Sequence, residues 1–324
     1  MEVPIYQNKP IASVESLSRC LSIPKAELLK LADKADQFYF PKLILKPDGK
    51  HREIYRVGNP LKHVQKKILQ RIFYDVDVPE YLQGGIHDRK SHRDYVVNAR
   101  LHADKRILLR EDISNFYPSI NARYVKVMWQ HLFHFPENVA LILTKLTTFR
   151  DVVPQGASTS TYIGNLVFWD IGPQIEAELR QRDFYYSRYI DDITISADKH
   201  VSQSEMEIVT EKIYGMMANK EVKPKRKKRA VQASSGKMTV HKLNVNSGKA
   251  TLTRQKWSQF RTAVRQVEQM AVDKLDTAEY ESLYNHVWGR AAAMSRIQPH
   301  KAKPYIARLR PIKPNISPYQ VDQR

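Results

Sequence analysis

The 324-residue chain holds a single cysteine, Cys20. One thiol excludes an intrachain disulfide and any cysteine-rich zinc site. No apolar run approaches the length of a membrane span. Residues 1–10 are polar and lack the apolar core of a signal peptide. The expectation is a cytoplasmic protein with no membrane partner. Internal repeats at solenoid periods are absent as well. Acidic residues are scarce: 34 Asp and Glu stand against 53 Lys and Arg, a formal net charge of +19. A field of that sign attracts polyanions, and nucleic acid is the default partner. Simple solubility, an anionic membrane surface or a ribosomal location are the plainer alternatives, and charge does not separate DNA from RNA. What remains, 42% hydrophobic and 27% charged, is ordinary for a soluble globular protein. The length suffices for two or three subdomains.

Periodicity places the elements. Residues 13–39 read as helical, with Leu17, Leu21, Leu28, Leu29 and Leu31 in an apolar stripe broken near Pro24. Residues 40–57 read as a β-hairpin around Pro47-Asp48-Gly49. Residues 60–76 form an amphipathic helix opened by proline, and 105–120 begin as a buried strand. Helices follow in "ARYVKVMWQHLFHF", "NVALILTKLTTF", around residues 165–179, and over 205–220. "KPKRKKR" (223–229) reads most simply as a solvated, mobile loop. Residues 237–255 suggest two strands around a turn at Asn246-Ser247-Gly248. Beyond Lys256 the chain is helical and basic, then proline-rich from Pro299.

One stretch resists this pattern. In "SRYIDDITIS", Asp191 and Asp192 stand between two apolar segments, "RYI" and "ITIS". Two short strands joined at two residues make a hairpin, here with acids at the bend where Asn-Gly is usual. An exposed acidic turn is the plain reading, yet it leaves the apolar flanks unexplained. Asp112 ends another apolar strand, "RILLRED". Buried carboxylates held together are costly unless a cation neutralises them. Mg²⁺ suits such a site, because it takes carboxylates together with substrate phosphates. Two ions could then activate one oxygen and stabilise the leaving one, while basic walls hold the polyphosphate.

Four stretches in order carry a resemblance. "YIDD" (Tyr189–Asp192) resembles the Tyr-x-Asp-Asp box of reverse transcriptases. "DISNFY" (Asp112–Tyr117) is similar to the first palm motif of that family, and "VPQGASTS" (Val153–Ser160) to its Pro-Gln-Gly-x-x-x-Ser motif. "GKHREIY" (Gly49–Tyr55) resembles the fingers motif whose arginine meets the triphosphate. "NARLH" (Asn98–His102) matches the Asn-Ala-x-x-His motif of retron reverse transcriptases, and the small size fits that type. Two positions depart from it. Val240-His241-Lys242 stands where Val-Thr-Gly is typical, and Ile190 where alanine is common.

The resemblance implies roles. Asp112 and Asp191 would bind two Mg²⁺ ions, the Ile113 carbonyl would complete one site, and Asp192 would support the metals less directly. Tyr117 would pack under the deoxyribose and exclude a 2′-hydroxyl; without the motif it reads as a core aromatic. Arg52 would clamp the β and γ phosphates, with Lys46 helping; either could be a surface charge. Gln155 and Gly156 would line the nucleotide pocket. Asn98, His102, Lys225, Arg226, Lys227, Lys228 and Arg229 would meet RNA, with one lysine, Lys227, as the candidate proton donor to pyrophosphate. His131 and His134 have metal-compatible spacing, but their aromatic neighbours favour packing histidines. The implied fold is α+β: a right hand with fingers in 1–105, an antiparallel-sheet palm in 106–247 interleaved with fingers near 125–155, and a helical thumb in 248–324. The implied function is RNA-templated DNA synthesis from dNTPs. Under the retron reading, the template is a cognate structured non-coding RNA, primed at a 2′-hydroxyl to give a branched RNA–DNA product, with an effector partner and a role in anti-phage defence. Alternatives are a non-retron defence or group II-like enzyme, an RNA-templated RNA polymerase of similar palm, and a catalytically silent nucleic-acid-binding protein.

Overall fold

Alternation along three central strands decides where the rest of the chain packs. The computed structural model describes residues 1–45, 49–89 and 91–314. Its largest sheet runs in the order Leu82–Gln83, Phe184–Tyr189, Asp192–Ala197, Ile107–Asp112, Ala230–Ala233. The first pair is parallel and the others are antiparallel. Side chains alternate across a strand. The register therefore puts Phe184, Tyr186, Ile193, Ile195 and Leu109 on one face. That face joins the main hydrophobic core with Ile175 and Leu179 of helix Gly172–Gln181 and with Met206, Ile213 and Met217 of helix Gln203–Asn219. The opposite face carries Ser187, Tyr189, Asp192, Thr194, Ser196 and Asp112. It is covered by helix Tyr95–Leu101 and by the small hairpin of Thr239–Val240 with Leu243–Asn244, through Val96, Ala99, Leu108, Met238, Val240 and Leu243. The fold is α+β.

The N-terminal hairpin pairs Tyr39–Leu45 with His51–Val57, the two strand-like runs expected on either side of Pro47-Asp48-Gly49. Tyr55 N donates to Gln155 O at 2.7 Å and ties this hairpin to the Pro154-Gln155-Gly156 segment. Of its turn, Lys46, Pro47 and Asp48 lie outside the described residues. The C-terminal helices Arg254–Lys274, Ala278–Ile297 and Pro299–Leu309 enclose a separate core around Phe260, Tyr280, Tyr284 and Val287.

Several boundaries follow from side-chain chemistry. Ser202 and Glu205 form a reciprocal capping box before Gln203–Asn219, and Asp94 accepts from Val96 N and Val97 N at the start of Tyr95–Leu101. The break expected near Pro24 is present: residues 13–39 hold two helices, Val14–Leu21 and Lys25–Asp33, parted where Ser22 turns left-handed at φ 48°. Of the later expectations, one needs correction and one is incomplete. The helix expected at 165–179 is broken: Ser160–Leu166 ends, and Gly172-Pro173 opens Gly172–Gln181, proline being at home in a first turn. The late segment turns twice: at His241-Lys242, between Thr239–Val240 and Leu243–Asn244, and again at the expected Asn246-Ser247-Gly248, across which Asn244 bridges antiparallel to Thr251.

Candidate active site

The sheet register brings the aspartates together. Tyr189 pairs with Asp192, leaving Ile190-Asp191 as a two-residue loop. Asp192 is thus the first residue of its strand rather than part of the bend, and it pairs with Asp112 on the neighbouring strand. Ile113 N donates to Asp191 O at 3.1 Å, which locks the loop against the end of strand Ile107–Asp112. Asp112 is buried, while Asp191 and Asp192 are half-buried. Burial, and then the charge of Asp112, raises the Asp191 carboxyl above its usual range. Burial, followed by Asp191 and Asp112, does the same to Asp192. Lys228 Nζ donates to Asp112 Oδ2 at 2.5 Å. Burial works against the Lys228 ammonium, but Asp112 and the other aspartates outweigh it and raise its pKa.

The basic run is no free loop. Lys225 N donates to Asp112 O at 2.7 Å, Ser114 N donates to Lys223 O at 2.8 Å, and Pro224 bridges to Ile113. Arg229 Nε lies 3.3 Å from the buried Glu111 Oε1. These ties deliver Lys228, not Lys227, to the aspartates; Lys227 is exposed. The run is exposed at Lys223 and over Arg226–Arg229, as a solvated stretch is, but that backbone anchoring corrects the expectation of a mobile loop and the choice of Lys227.

Of the residues singled out for the nucleotide, the described ones fall in one neighbourhood, on different elements. Tyr117, in helix Phe116–Ser119, sets its hydroxyl 3.4 Å from Thr161 Oγ1. Its ring rests on Gly164, where an added Cβ would stand 3.3 Å from Tyr117 and 2.9 Å from Phe116. Gly156 has φ +113°, and a Cβ there would stand 2.6 Å from Tyr55 O, so glycine is required. Ser160 Oγ donates to Pro154 O at 2.6 Å and closes the Pro154–Ser160 turn. Arg52 is exposed on the hairpin, close enough for its charge to favour the Asp191 carboxylate. Lys46 lies outside the described residues.

Asn98 and His102 do not face solvent. Both are fully buried, which removes them from direct contact with RNA. Asn98 Nδ2 donates to Ser187 Oγ at 2.5 Å, and the His102 ring nitrogens lie 2.7 Å from Ser187 Oγ and Ser196 Oγ. His241 extends this network. Its Nε2 is 2.6 Å from Asn98 Oδ1, its Nδ1 is 3.9 Å from Asp192 Oδ2, and its ring packs 4.5 Å from that of Tyr189. Burial holds the His102 ring neutral, its pKa pulled down to about 3, and lowers His241 to about 4. The motif therefore braces the aspartate hairpin from behind. Sequence reading missed Ser187, Ser196, Arg188 and His241. Alternation would have found the two serines, which share the Asp192 face. His131 and His134, expected to pack, are exposed.

The donors suit a hard divalent cation: carboxylate oxygens whose charged forms repel one another. Among the described residues no group of three or more such side chains closes into a protein-only cage. Mg²⁺ needs none, since it takes one or two carboxylates and completes its shell with water and phosphate oxygens.

Residues 44–258 match the family described as Reverse transcriptase (RNA-dependent DNA polymerase), and the chain belongs to it. The family works with divalent metal and copies an RNA template, so this protein is an RNA-directed DNA polymerase. Within that family it is of the retron type. It is 34% identical over 327 residues to the retron Se72 reverse transcriptase of Salmonella heidelberg, covering 100% of this chain and 85% of that protein. The retron Ec48 reverse transcriptase of Escherichia coli is 28% identical over 95% of this chain and 78% of its own length. An apo telomerase structure from Candida tropicalis covers 92% of this chain and 67% of its own at a TM-score of 0.47 and 12% identity, a distant likeness. Among the described residues no helix is long and apolar enough to cross a membrane.

Proposed function

We propose that this enzyme copies a cognate structured non-coding RNA, starting from a guanosine 2′-hydroxyl and leaving a branched RNA–DNA product. The observation that carries the catalytic part is the meeting of Asp112, Asp191 and Asp192 at adjoining strand ends, with Lys228 against Asp112. In this reading Asp112 and Asp191 hold two Mg²⁺ ions, with the Ile113 carbonyl and Asp192 in support. Bound there, such ions would supply the charge that activates the attacking hydroxyl and stabilises the leaving pyrophosphate. Arg52 orients the triphosphate as a bidentate donor. Gln155 and Gly156 floor the nucleotide pocket, and Tyr117 excludes a ribose 2′-hydroxyl. Lys228 Nζ carries the proton for the departing pyrophosphate. Positioning and charge neutralisation do most of the work.

Lys225, Arg226, Lys227 and Arg229 grip RNA phosphates in this reading. Residues 1–105 serve as fingers, 106–247 as palm and 248–324 as thumb. The retron setting supplies the rest of the proposal: a cytoplasmic complex with an effector protein, acting against phage. The retron-type relatives support it, as does the match at Asn98–His102.

Primer extension on an RNA template with Mg²⁺ and dNTPs tests the catalytic reading. Wild type should extend, and Asp191→Ala should lose at least a hundredfold in rate. Unchanged extension by Asp191→Ala would sink it, and failure of the wild type would favour a silent RNA-binding protein. Sequencing the nucleic acid that copurifies tests the branched product: a 2′,5′-joined guanosine is the expected junction.

A further inference from the structure

Arg188 is charged and sits where a charge is least at home. It lies on the core face of strand Phe184–Tyr189 and is 1% exposed. Burying a guanidinium is costly unless its donors are met. Here backbone carbonyls accept three hydrogen bonds from it, and the Tyr186 side chain takes part as well. Nη1 donates to Gly164 O and Ile190 O, each at 2.9 Å, and Nη2 donates to Asn165 O. The Phe168 ring lies against the guanidinium, 5.1 Å from centroid to Cζ.

Two of those carbonyls belong to parts that must act together. Ile190 precedes Asp191 in the two-residue loop and has φ +59°. That region suits glycine and is a genuine outlier for a β-branched residue. An observed outlier of this kind persists only when its surroundings hold it. Gly164 is the seat of the Tyr117 ring, as its close approach to Phe116 and Tyr117 requires. One nitrogen of Arg188 thus joins the turn that carries Asp191 to the helix on which Tyr117 rests. Lysine cannot reproduce this, because it lacks the planar fork.

We propose that Arg188 is a positioning residue that fixes the distance between the Asp191 carboxylate and the Tyr117 ring, and so sets both the rate and the sugar selectivity of nucleotide addition. This rests on the roles given above to Asp191 and Tyr117. The turn is held for metal binding from one side, and the sugar gate is held in register with it from the other. A loss of the clamp loosens both.

The test compares wild type, Arg188→Lys and Arg188→Gln in primer extension on one RNA template, with dNTPs and with rNTPs, beside Asp191→Ala and Tyr117→Ala. For Arg188→Lys, kcat with dNTPs should fall at least tenfold while KM for primer–template stays within twofold. The preference for dNTP over rNTP should narrow at least threefold, in the direction of Tyr117→Ala. A folding defect alone lowers the active fraction and scales both nucleotides equally, so the ratio reports the clamp. A folded Arg188→Lys with wild-type selectivity overturns the proposal. If that variant does not fold, Arg188→Lys/Ile190→Gly carries the same test, since glycine takes the left-handed turn unaided. Its selectivity must still be narrowed, because Gly164 O remains unclamped; wild-type selectivity there overturns the proposal too. If instead wild type does not extend, or Asp191→Ala extends like wild type, the underlying reading fails.

Discussion

Gly164 has no room for a methyl group. An alanine Cβ there would press on the Phe116 and Tyr117 rings at 2.9 and 3.3 Å. Helix propensity would gain about 1 kcal/mol from Gly→Ala, while overpacking costs about 1–3 kcal/mol. Gly164→Ala should therefore lower the melting temperature slightly and reduce kcat/KM for dNTPs more than stability alone explains; thermal melts and steady-state extension check both. His102 makes a second residue-level prediction. Folded, its pKa sits near 3 because burial disfavours the charge, against 6.5 for the free side chain. The unfolded chain therefore takes up the proton first as pH falls. Stability present above pH 6.5 is lost as pH drops from 6.5 towards 3. Between pH 7 and pH 5 this one group removes about 2 kcal/mol, since each unit is worth about 1.4 kcal/mol. His102→Gln should shrink the pH 7-to-5 drop in unfolding free energy by that amount, as read from urea midpoints. At this scale Asp112, Asp191 and Asp192 were legible because charges inside apolar strands are anomalous. Asn98 and His102 were legible as a motif but not as a brace, since a polar residue in a helix does not announce whether it meets RNA or another side chain.

Among the elements, the hairpin of Thr239–Val240 and Leu243–Asn244 was the hardest to place. Asn246-Ser247-Gly248 does turn the chain and bridges Asn244 to Thr251, but an earlier turn lies at His241 and Lys242, both left-handed at φ 48° and 63°. Each such residue costs about 1–2 kcal/mol. What holds them is tertiary: His241 bonds buried Asn98 and packs on Tyr189, contacts that local propensity cannot reveal. The two positions should respond oppositely to glycine. Lys242 is exposed, so Lys242→Gly should relieve strain and stabilise by about 1 kcal/mol, raising the melting point by roughly 2–4 °C. His241→Gly relieves similar strain but leaves the Asn98 oxygen unpartnered, at about 1–3 kcal/mol, and should come out destabilising. Melting curves of both variants decide this; a stabilised His241→Gly would mean the Asn98 link contributes nothing. Elements with strong local chemistry were read with less trouble. The apolar segments flanking Asp191 and Asp192 located their hairpin, and helix Gln203–Asn219 was read from 205 without its Ser202–Glu205 capping box, whereas Gly172-Pro173 marked a helix start that was taken for a helix interior.

The whole molecule is strongly basic, with a formal net charge of +19. In the C-terminal helical unit, a cleft of about 570 Å³ gathers Arg254, Arg261, Lys301 and Arg308 around Trp257 and Tyr305. Arg308 is committed to Glu268 through two hydrogen bonds of 2.6 and 2.7 Å. Among the described residues, Arg254, Arg261 and Lys301 have no acidic partner, so they are available to phosphate. Each phosphate contact releases condensed counterions, and the affinity falls with salt by a slope of about 0.7–0.9 per contact. Net charge predicts that a polyanion is bound, but only the slope counts how many cations meet it. Replacing Arg254, Arg261 and Lys301 together by alanine should make the plot of log affinity against log salt shallower by about 2–3. Measured between 50 and 200 mM salt with a structured RNA, an unchanged slope would mean that this cleft faces no phosphate. The same substitution tried on Lys225, Arg226 and Lys227 separates the two basic surfaces, because each should remove its own share of the slope if RNA spans both.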